Sequence, residues 1–262
     1  MIKLIVCDMD GTLLDNQGQL NEQFWELETK LANKGIKFAI ASGRQYYNLL
    51  DRFERIKDNL IFLADNGSYV IYRDEQVHID SLDSVSAIKF IEIGRKIEEA
   101  YVIVSAKNSA YVENIDERFL NEARKYFKRL EIVEDLTKVQ DTVLKVTICD
   151  FNNSETNSYL HYKQFEKEYK VAVAGKLWLD ISDWGANKGT AVKKMQEKFG
   201  IAYEETMVFG DYLNDMEMMT TGKYSYAMKN AHPKIIEAAS YLTKYTNNEN
   251  GVLETIKELG LV

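Results

Sequence analysis

Histidine, cysteine and proline are all scarce in this chain, at three, two and one in 262 residues. The histidines, His78, His161 and His232, share no ligand spacing, so a zinc site is not expected. Cys7 and Cys149 lie far apart in strand-like segments and read as reduced core thiols, not as a disulfide or a metal pair. Long apolar runs are missing as well: none nears the roughly 20 residues of a membrane span. The N-terminal apolar stretch stops at Asp8, too short for a signal peptide, and a cytoplasmic protein is expected. Without a secretion signal, the glycosylation-like triplets at Asn66 and Asn152 carry no weight. Net charge is −8 with basic residues dispersed, which argues against nucleic-acid binding but leaves small anionic ligands open to a local cationic pocket. No Walker A stretch and no G-x-G-x-x-G stretch is present, so neither a P-loop nucleotidase nor a dinucleotide enzyme is supported.

What the chain does have is alternation. A strand over residues 3–8 is followed by a helix over 21–34 with apolar Phe24, Leu27 and Leu31 on one face. IKFAIAS is a second strand, a helix starts near Gln45, and LIFLADNG is a third strand. The last third repeats the pattern. It has a helix over 188–199, the strand TMVFGD, the helix NDMEMM, the strand YSYAM, a helix from Pro233 and a terminal helix in NNENGVLETIKELG. Short apolar strands alternating with amphipathic helices indicate βαβ units and a parallel sheet.

The middle differs. It reads as a helix over 84–100, the strands YVIVS and AYVEN, a helix over 116–128, the strand VLKVTICD, a helix over 155–168, and the strands YKVAVA and KLWLDIS. Strands that follow one another without a helix favour antiparallel pairing. The fold class is therefore α/β, a Rossmann-like doubly wound parallel sheet with an inserted α+β cap. The core covers residues 1–82 and 186–262, and the cap 83–185.

Polar residues gather where the core strands end, the place where open α/β sheets put their sites. Strand one runs into Asp8, Asp10, Gly11 and Thr12; strand two into Ser42, Gly43 and Arg44; a later strand into Asp211, then Asn214 and Asp215. Lys188 opens the helix just after the insertion. Several carboxylates in one cleft must be protonated or share a hard cation, and an all-oxygen set with few protein ligands suits Mg²⁺. Ser42, neighbouring backbone N–H groups and Lys188 offer donors to phosphoryl oxygens. A carboxylate can attack phosphorus, and a second can move the proton.

Taken singly, these stretches are weak. The acidic turn after strand one is a common turn, and as an EF-hand it fails because Leu13 and Gln19 stand where Gly and Glu are needed. Ser42-Gly43-Arg44 alone is a loop, Lys188 alone a solvated helix start, and Asp215 alone a helix-dipole partner. Their order and placement make the signal. DMDGTLL, SGR, NKG and GDYLNDMEM resemble, in order, the four motifs of the haloacid dehalogenase-like superfamily. AMKNAHP and TNNENGV resemble the C-terminal signatures of its Cof-type phosphatase branch.

That resemblance implies Asp8 as nucleophile and Asp10 as acid/base. It implies Mg²⁺ held by Asp8, Asp211 and the carbonyl of Asp10 with Asp215 in support. Lys188 and Asn214 would orient the phosphoryl group, with Ser42 and Gly43 lining its pocket. It also places the cap after the third core strand, since one helix and one strand fill the stretch from Asp8 to Ser42. The approach to Lys188 reads DISDWGANKG and departs from the branch's usual P-x-G-V.

The expected activity is Mg²⁺-dependent hydrolysis of phosphomonoesters of small metabolites, sugar phosphates first, through an aspartyl phosphate. A phosphomutase using the same intermediate and a non-catalytic phosphometabolite-binding protein are the alternatives. Tyr46 and Tyr47 read either as pocket wall or as a helix face packed on the sheet. Trp178 and Trp184 read as core or hinge packing, and Met216, Met218 and Met219 as core fillers. Asn66-Gly67 reads as a turn near the site, with Asn66 a minor candidate for substrate contact.

Overall fold

The computed structural model describes residues 1–262. In chain order the first elements are β1 (Leu4–Asp8), α1 (Gln23–Asn33), β2 (Lys37–Ala41), α2 (Tyr46–Phe53), β3 (Leu60–Ala64), β4 (Tyr69–Tyr72) and β5 (Glu75–Ile79). Then come α3 (Ser84–Gly94), β6 (Ala100–Ala106), β7 (Ala110–Val112), α4 (Glu117–Ala123), β8 (Leu130–Ile132), β9 (Val143–Asp150), α5 (Ser158–Tyr162), β10 (Tyr169–Val173) and β11 (Trp178–Asp183). The chain closes with α6 (Lys188–Phe199), β12 (Thr206–Gly210), α7 (Met216–Met219), β13 (Tyr224–Ala227), α8 (Pro233–Ala238), β14 (Tyr241–Leu242) and α9 (Gly251–Glu258).

These elements form two compact units. One comprises Met1–Gly43, Phe53–His78 and Asn187–Val262; the other comprises Arg44–Arg52 and Ile79–Ala186. The first carries an eight-stranded sheet in the order β14-β13-β12-β1-β2-β3-β4-β5. Every pairing from β14 through β3 is parallel. Strands β1, β3 and β12 are buried along their whole length, as expected of parallel strands covered on both faces. Their unbroken apolar runs are what made them readable.

The sheet then reverses. After β3, Asp65 and Asn66 take φ of +49° and +57°, and β4 returns antiparallel to β3. Arg73 and Asp74, at φ +53° and +61°, form the two-residue turn into β5; paired positive φ values twist such a turn to match the strands it joins. The stretch between the third core strand and the insertion is therefore a β-hairpin.

The second unit holds a six-stranded sheet, β10-β11-β9-β6-β7-β8, antiparallel but for the β7–β8 pair. Val104, Val146, Ile148 and Ile181 form one face and pack on Phe90 of α3 and Tyr162 of α5. Ile103 and Cys149 lie on the other face, beneath Phe119 of α4. That second face also carries polar residues in cross-strand register: Ser182, Lys145 and Ser105 in one row, Asp180 and Thr147 in the next. Lys145 Nζ lies 3.0 Å from Asp180 Oδ2, and Thr147 Oγ1 donates to Asp180 Oδ1 at 2.6 Å.

The helices of this unit are shorter than their composition suggested. α3 ends at Gly94 rather than residue 100, because the chain turns at Glu99 (φ +56°) into β6. The helices expected over 116–128 and 155–168 shrink to α4 and α5, the second followed by a single 3₁₀ turn over Lys163–Phe165. Both cysteines are buried and free. No helix is long and apolar enough to cross a membrane.

Candidate active site

β1 and β12 are adjacent parallel strands, with Cys7 opposite Phe209. Their ends therefore bring Asp8 and Asp211 together, although they lie 203 positions apart in sequence. Beyond Asp8 the chain forms a wide turn in which Leu14 N–H donates to Met9 O at 2.9 Å. Gly11 in that turn has φ +84°, and a Cβ there would stand 2.9 Å from Asp211 Cγ. Glycine is thus required both by conformation and by the carboxylate beside it.

α6 starts at the site. Asn187 caps it by accepting the Thr190 N–H at 2.8 Å, and Lys188 is its first residue. Lys188 is fully buried, and its Nζ bonds Asp8 Oδ1 and, at 2.6 Å, Asp215 Oδ1. Asp215 Oδ2 accepts the backbone N–H groups of Asp211 (2.9 Å) and Tyr212 (3.2 Å). Thr12 Oγ1 donates to Asp211 Oδ1 at 3.0 Å. Asp8, Asp211 and Asp215 each place a carboxylate oxygen within 4.8 Å of the others.

Charge in this cluster is finely set. Burial pushes the Asp8 carboxyl well above the usual range, Lys188 pulls it back, and Asp215 and Asp211 raise it further. Burial and the Asp215 charge push Asp211 up to about 6. For Lys188, burial acts downward, but Asp215 and Asp8 together hold its ammonium group above the ordinary lysine value. Three ionised carboxylates and one ammonium leave a net −2. Asp8 Oδ2 is buried with no hydrogen-bond partner. An all-oxygen set with that residual charge and an orphaned carboxylate oxygen fits a hard divalent cation.

The remaining residues split. Ser42 is buried, and its backbone is tied to the end of β3: its N–H donates to Leu63 O and its carbonyl accepts from Asn66 N–H, both at 2.9 Å. Gly43 lies against the Asn66 carboxamide, and Asn214 Nδ2 donates to Asn66 Oδ1 at 3.0 Å. Asp10 is exposed, and its carboxylate stands outside the three-carboxylate cluster.

Tyr46 is buried, and the Arg129 guanidinium lies 3.5 Å over the Tyr47 ring. Trp178 packs edge-on against Tyr126. Trp184, however, is 62% exposed, so its core or hinge packing is not found. Met218 and Met219 fill the core as expected.

Several supporting residues escaped the sequence reading. Thr12 stood inside the first motif but was given no role. Asn230 Nδ2 donates to Gly11 O at 2.8 Å, and Asn247 Nδ2 to Leu14 O at 2.9 Å. The two C-terminal signatures therefore hold the turn after β1 in place, which gives their asparagines a physical purpose.

The profile of the haloacid dehalogenase-like hydrolases matches residues 5–256. An Escherichia coli protein named 5-amino-6-(5-phospho-D-ribitylamino)uracil phosphatase is 32% identical over 98% of this chain and 96% of its own. A Bacillus subtilis protein of the same name is 27% identical over 98% of this chain and 95% of its own. A Streptococcus mutans protein of solved structure is 26% identical, covers both chains completely and superposes with a TM-score of 0.87. A HAD subclass IIB sugar phosphatase, 21% identical over 99% of this chain and 100% of its own with a TM-score of 0.82, shares the fold. The chain belongs to the haloacid dehalogenase-like hydrolases, as one of their phosphatases.

Proposed function

We propose that this phosphatase hydrolyses phosphomonoesters of small, polyhydroxylated metabolites through a phosphoenzyme at Asp8, with Mg²⁺ as cofactor. The observation that carries this reading is Lys188, held between Asp8 and Asp215 with a second Asp8 oxygen buried and unpartnered. Against the burial that opposes ionisation, Lys188 favours the ionised form of Asp8, aims it by one contact and leaves the other oxygen open to attack phosphorus.

In the first step an Asp8 oxygen bonds to phosphorus as the bond to the leaving oxygen breaks, and Asp10 gives that oxygen its proton. In the second, Asp10 takes a proton from water, whose oxygen bonds to phosphorus; the Asp8–phosphorus bond breaks, returning the carboxylate and releasing phosphate. Asp10 is exposed, which suits a group that must exchange protons with leaving group and solvent. Ser42, the Gly43 N–H, Lys188 and Asn214 are the proposed donors to the phosphoryl oxygens, where charge gathers in the transition state. Asp8, Asp211 and Asp215, with the carbonyl of Asp10, would hold Mg²⁺. The bound ion supplies positive charge against the carboxylates and the phosphoryl group.

Leaving-group selectivity is assigned to the inserted residues 83–185, which belong to the second unit. On its sheet, Lys145, Thr147, Asp180 and Ser182 alternate donors with acceptors, as adjacent hydroxyl groups require. Two relatives carry in their names a phosphorylated ribityl compound, so 5-amino-6-(5-phospho-D-ribitylamino)uracil joins pentose and hexose phosphates at the head of the substrate panel. Phosphate release across that panel is the test. Isomerisation of a sugar phosphate without release would favour a mutase, and binding without turnover a sensor.

A further inference from the structure

We infer that Asn66 is a positioning residue of the phosphoryl pocket, acting through Asn214; the inference rests on the phosphatase reading above. The two side chains come from different segments of the first unit, 148 positions apart, and meet in a hydrogen bond, Asn214 Nδ2 to Asn66 Oδ1 at 3.0 Å. A primary carboxamide has two N–H bonds on one nitrogen. With one committed to Asn66, the plane of the Asn214 amide is fixed and its other N–H has a defined direction. Without that partner the amide rotates about a soft torsion and offers phosphate a donor only part of the time.

Asn66 is itself held firmly. Its backbone N–H donates to the carbonyl of Ser42 at 2.9 Å. Its carboxamide lies against Gly43, where a Cβ would stand 3.2 Å from both Oδ1 and Nδ2. One residue thus touches Ser42 through its backbone, Gly43 through its amide and Asn214 through its acceptor. These are the three neutral members of the proposed phosphate pocket. Asn66 does so from φ +57°, directly after Asp65 at φ +49°. Consecutive non-glycine residues in the left-handed region are costly and persist where the surroundings demand them. Asparagine tolerates that region better than most residues and brings the amide the contact needs.

The backbone supplies a clean variant. Asn66→Gly removes the side chain, carboxamide included, while keeping the left-handed conformation without strain, whereas alanine would also strain the backbone. The expected result is a KM for phosphomonoesters raised on the order of 3- to 10-fold, with kcat and the thermal midpoint close to wild type. The inhibition constant for inorganic phosphate should rise in parallel, since the lost contact serves bound phosphate whether or not it reacts. Because Asn66 acts through Asn214, adding Asn66→Gly to Asn214→Ala should cause no further rise. An unchanged KM in Asn66→Gly, or effects that multiply in the double variant, would overturn the inference. If wild type releases no phosphate from any substrate, the phosphatase reading is what fails. Calorimetric titration of wild type and Asn66→Gly with inorganic phosphate and Mg²⁺ then decides the Asn66 inference alone, weaker binding supporting it and equal binding refuting it.

Discussion

Replacing Lys188 by methionine isolates the electrostatics on which the site depends. Methionine nearly matches the lysine stem in volume, so packing is kept and charge is lost. In the native cluster, Lys188 and Asp215 are completely buried and Asp8 almost so. Removing one member of a buried ion pair costs about 3–5 kcal/mol, because the partner charge is left uncompensated. In a chain of this size each kcal/mol lowers the thermal midpoint by about 2–4 °C, so Lys188→Met should melt roughly 6–20 °C below wild type in EDTA. The loss should shrink when Asp8→Asn is added, since the second substitution removes one of the two carboxylates Lys188 had neutralised. Turnover should fall by about 10²–10³, the usual cost of deleting one fixed donor to a developing oxyanion. The assay is thermal melting of the four proteins, wild type, both single variants and the double, in EDTA at one pH. A Lys188→Met variant that melts with wild type, or a double variant with strictly additive loss, would show that Lys188 does not balance these carboxylates.

Other outcomes follow from neighbouring contacts. Asp10→Asn should keep affinity for phosphate and Mg²⁺ while kcat falls by about 10²–10⁴; wild-type turnover would remove Asp10 from its role. Thr12→Val deletes the hydroxyl that donates to Asp211 and should weaken Mg²⁺ affinity by about 10–100-fold in a calorimetric titration, whereas unchanged affinity would separate Asp211 from metal binding. Lys145→Met should reorder kcat/KM among phosphorylated polyols, and an unaltered ranking would move selectivity away from that row.

In the second unit, the bonds from Arg95 hold Glu113 below the usual glutamate range. A depressed carboxylate adds stability above its unfolded pKa and loses it as pH falls through its folded one. Melting temperature should therefore drop below about pH 4.5. Because the pair is partly solvent-exposed, Glu113→Gln should flatten that drop by only about 0.5–1 kcal/mol.

The grouping of the candidate site's residues was legible because they sit at the ends of strands whose identity could not be mistaken. Asp8, Ser42 and Asp211 each follow an unbroken apolar run, and the parallel order β12-β1-β2 brings those ends side by side. Lys188 was placed by the helix it opens. The β4–β5 hairpin was not legible, since its turn is Arg73-Asp74 rather than the Asn-Gly or Asp-Gly that announces positive φ. Strand β5, EQVHI, is nowhere fully buried, so no apolar alternation marked it. Past Gly94, Arg95, Lys96 and Glu98 are good helix formers, and the tertiary demand to enter β6 overrides them. The Asn66–Asn214 contact was hidden for a different reason: it depends on where two loop amides point, and no spacing rule carries that direction.

The most direct test of the whole account is phosphate release from the metabolite panel with Mg²⁺, measured for wild type, for wild type in excess EDTA and for Asp8→Asn. Release by wild type alone is expected, abolished both by EDTA and by Asp8→Asn. Undiminished release by Asp8→Asn would contradict it, because no phosphoenzyme could then form at the residue around which the site is built.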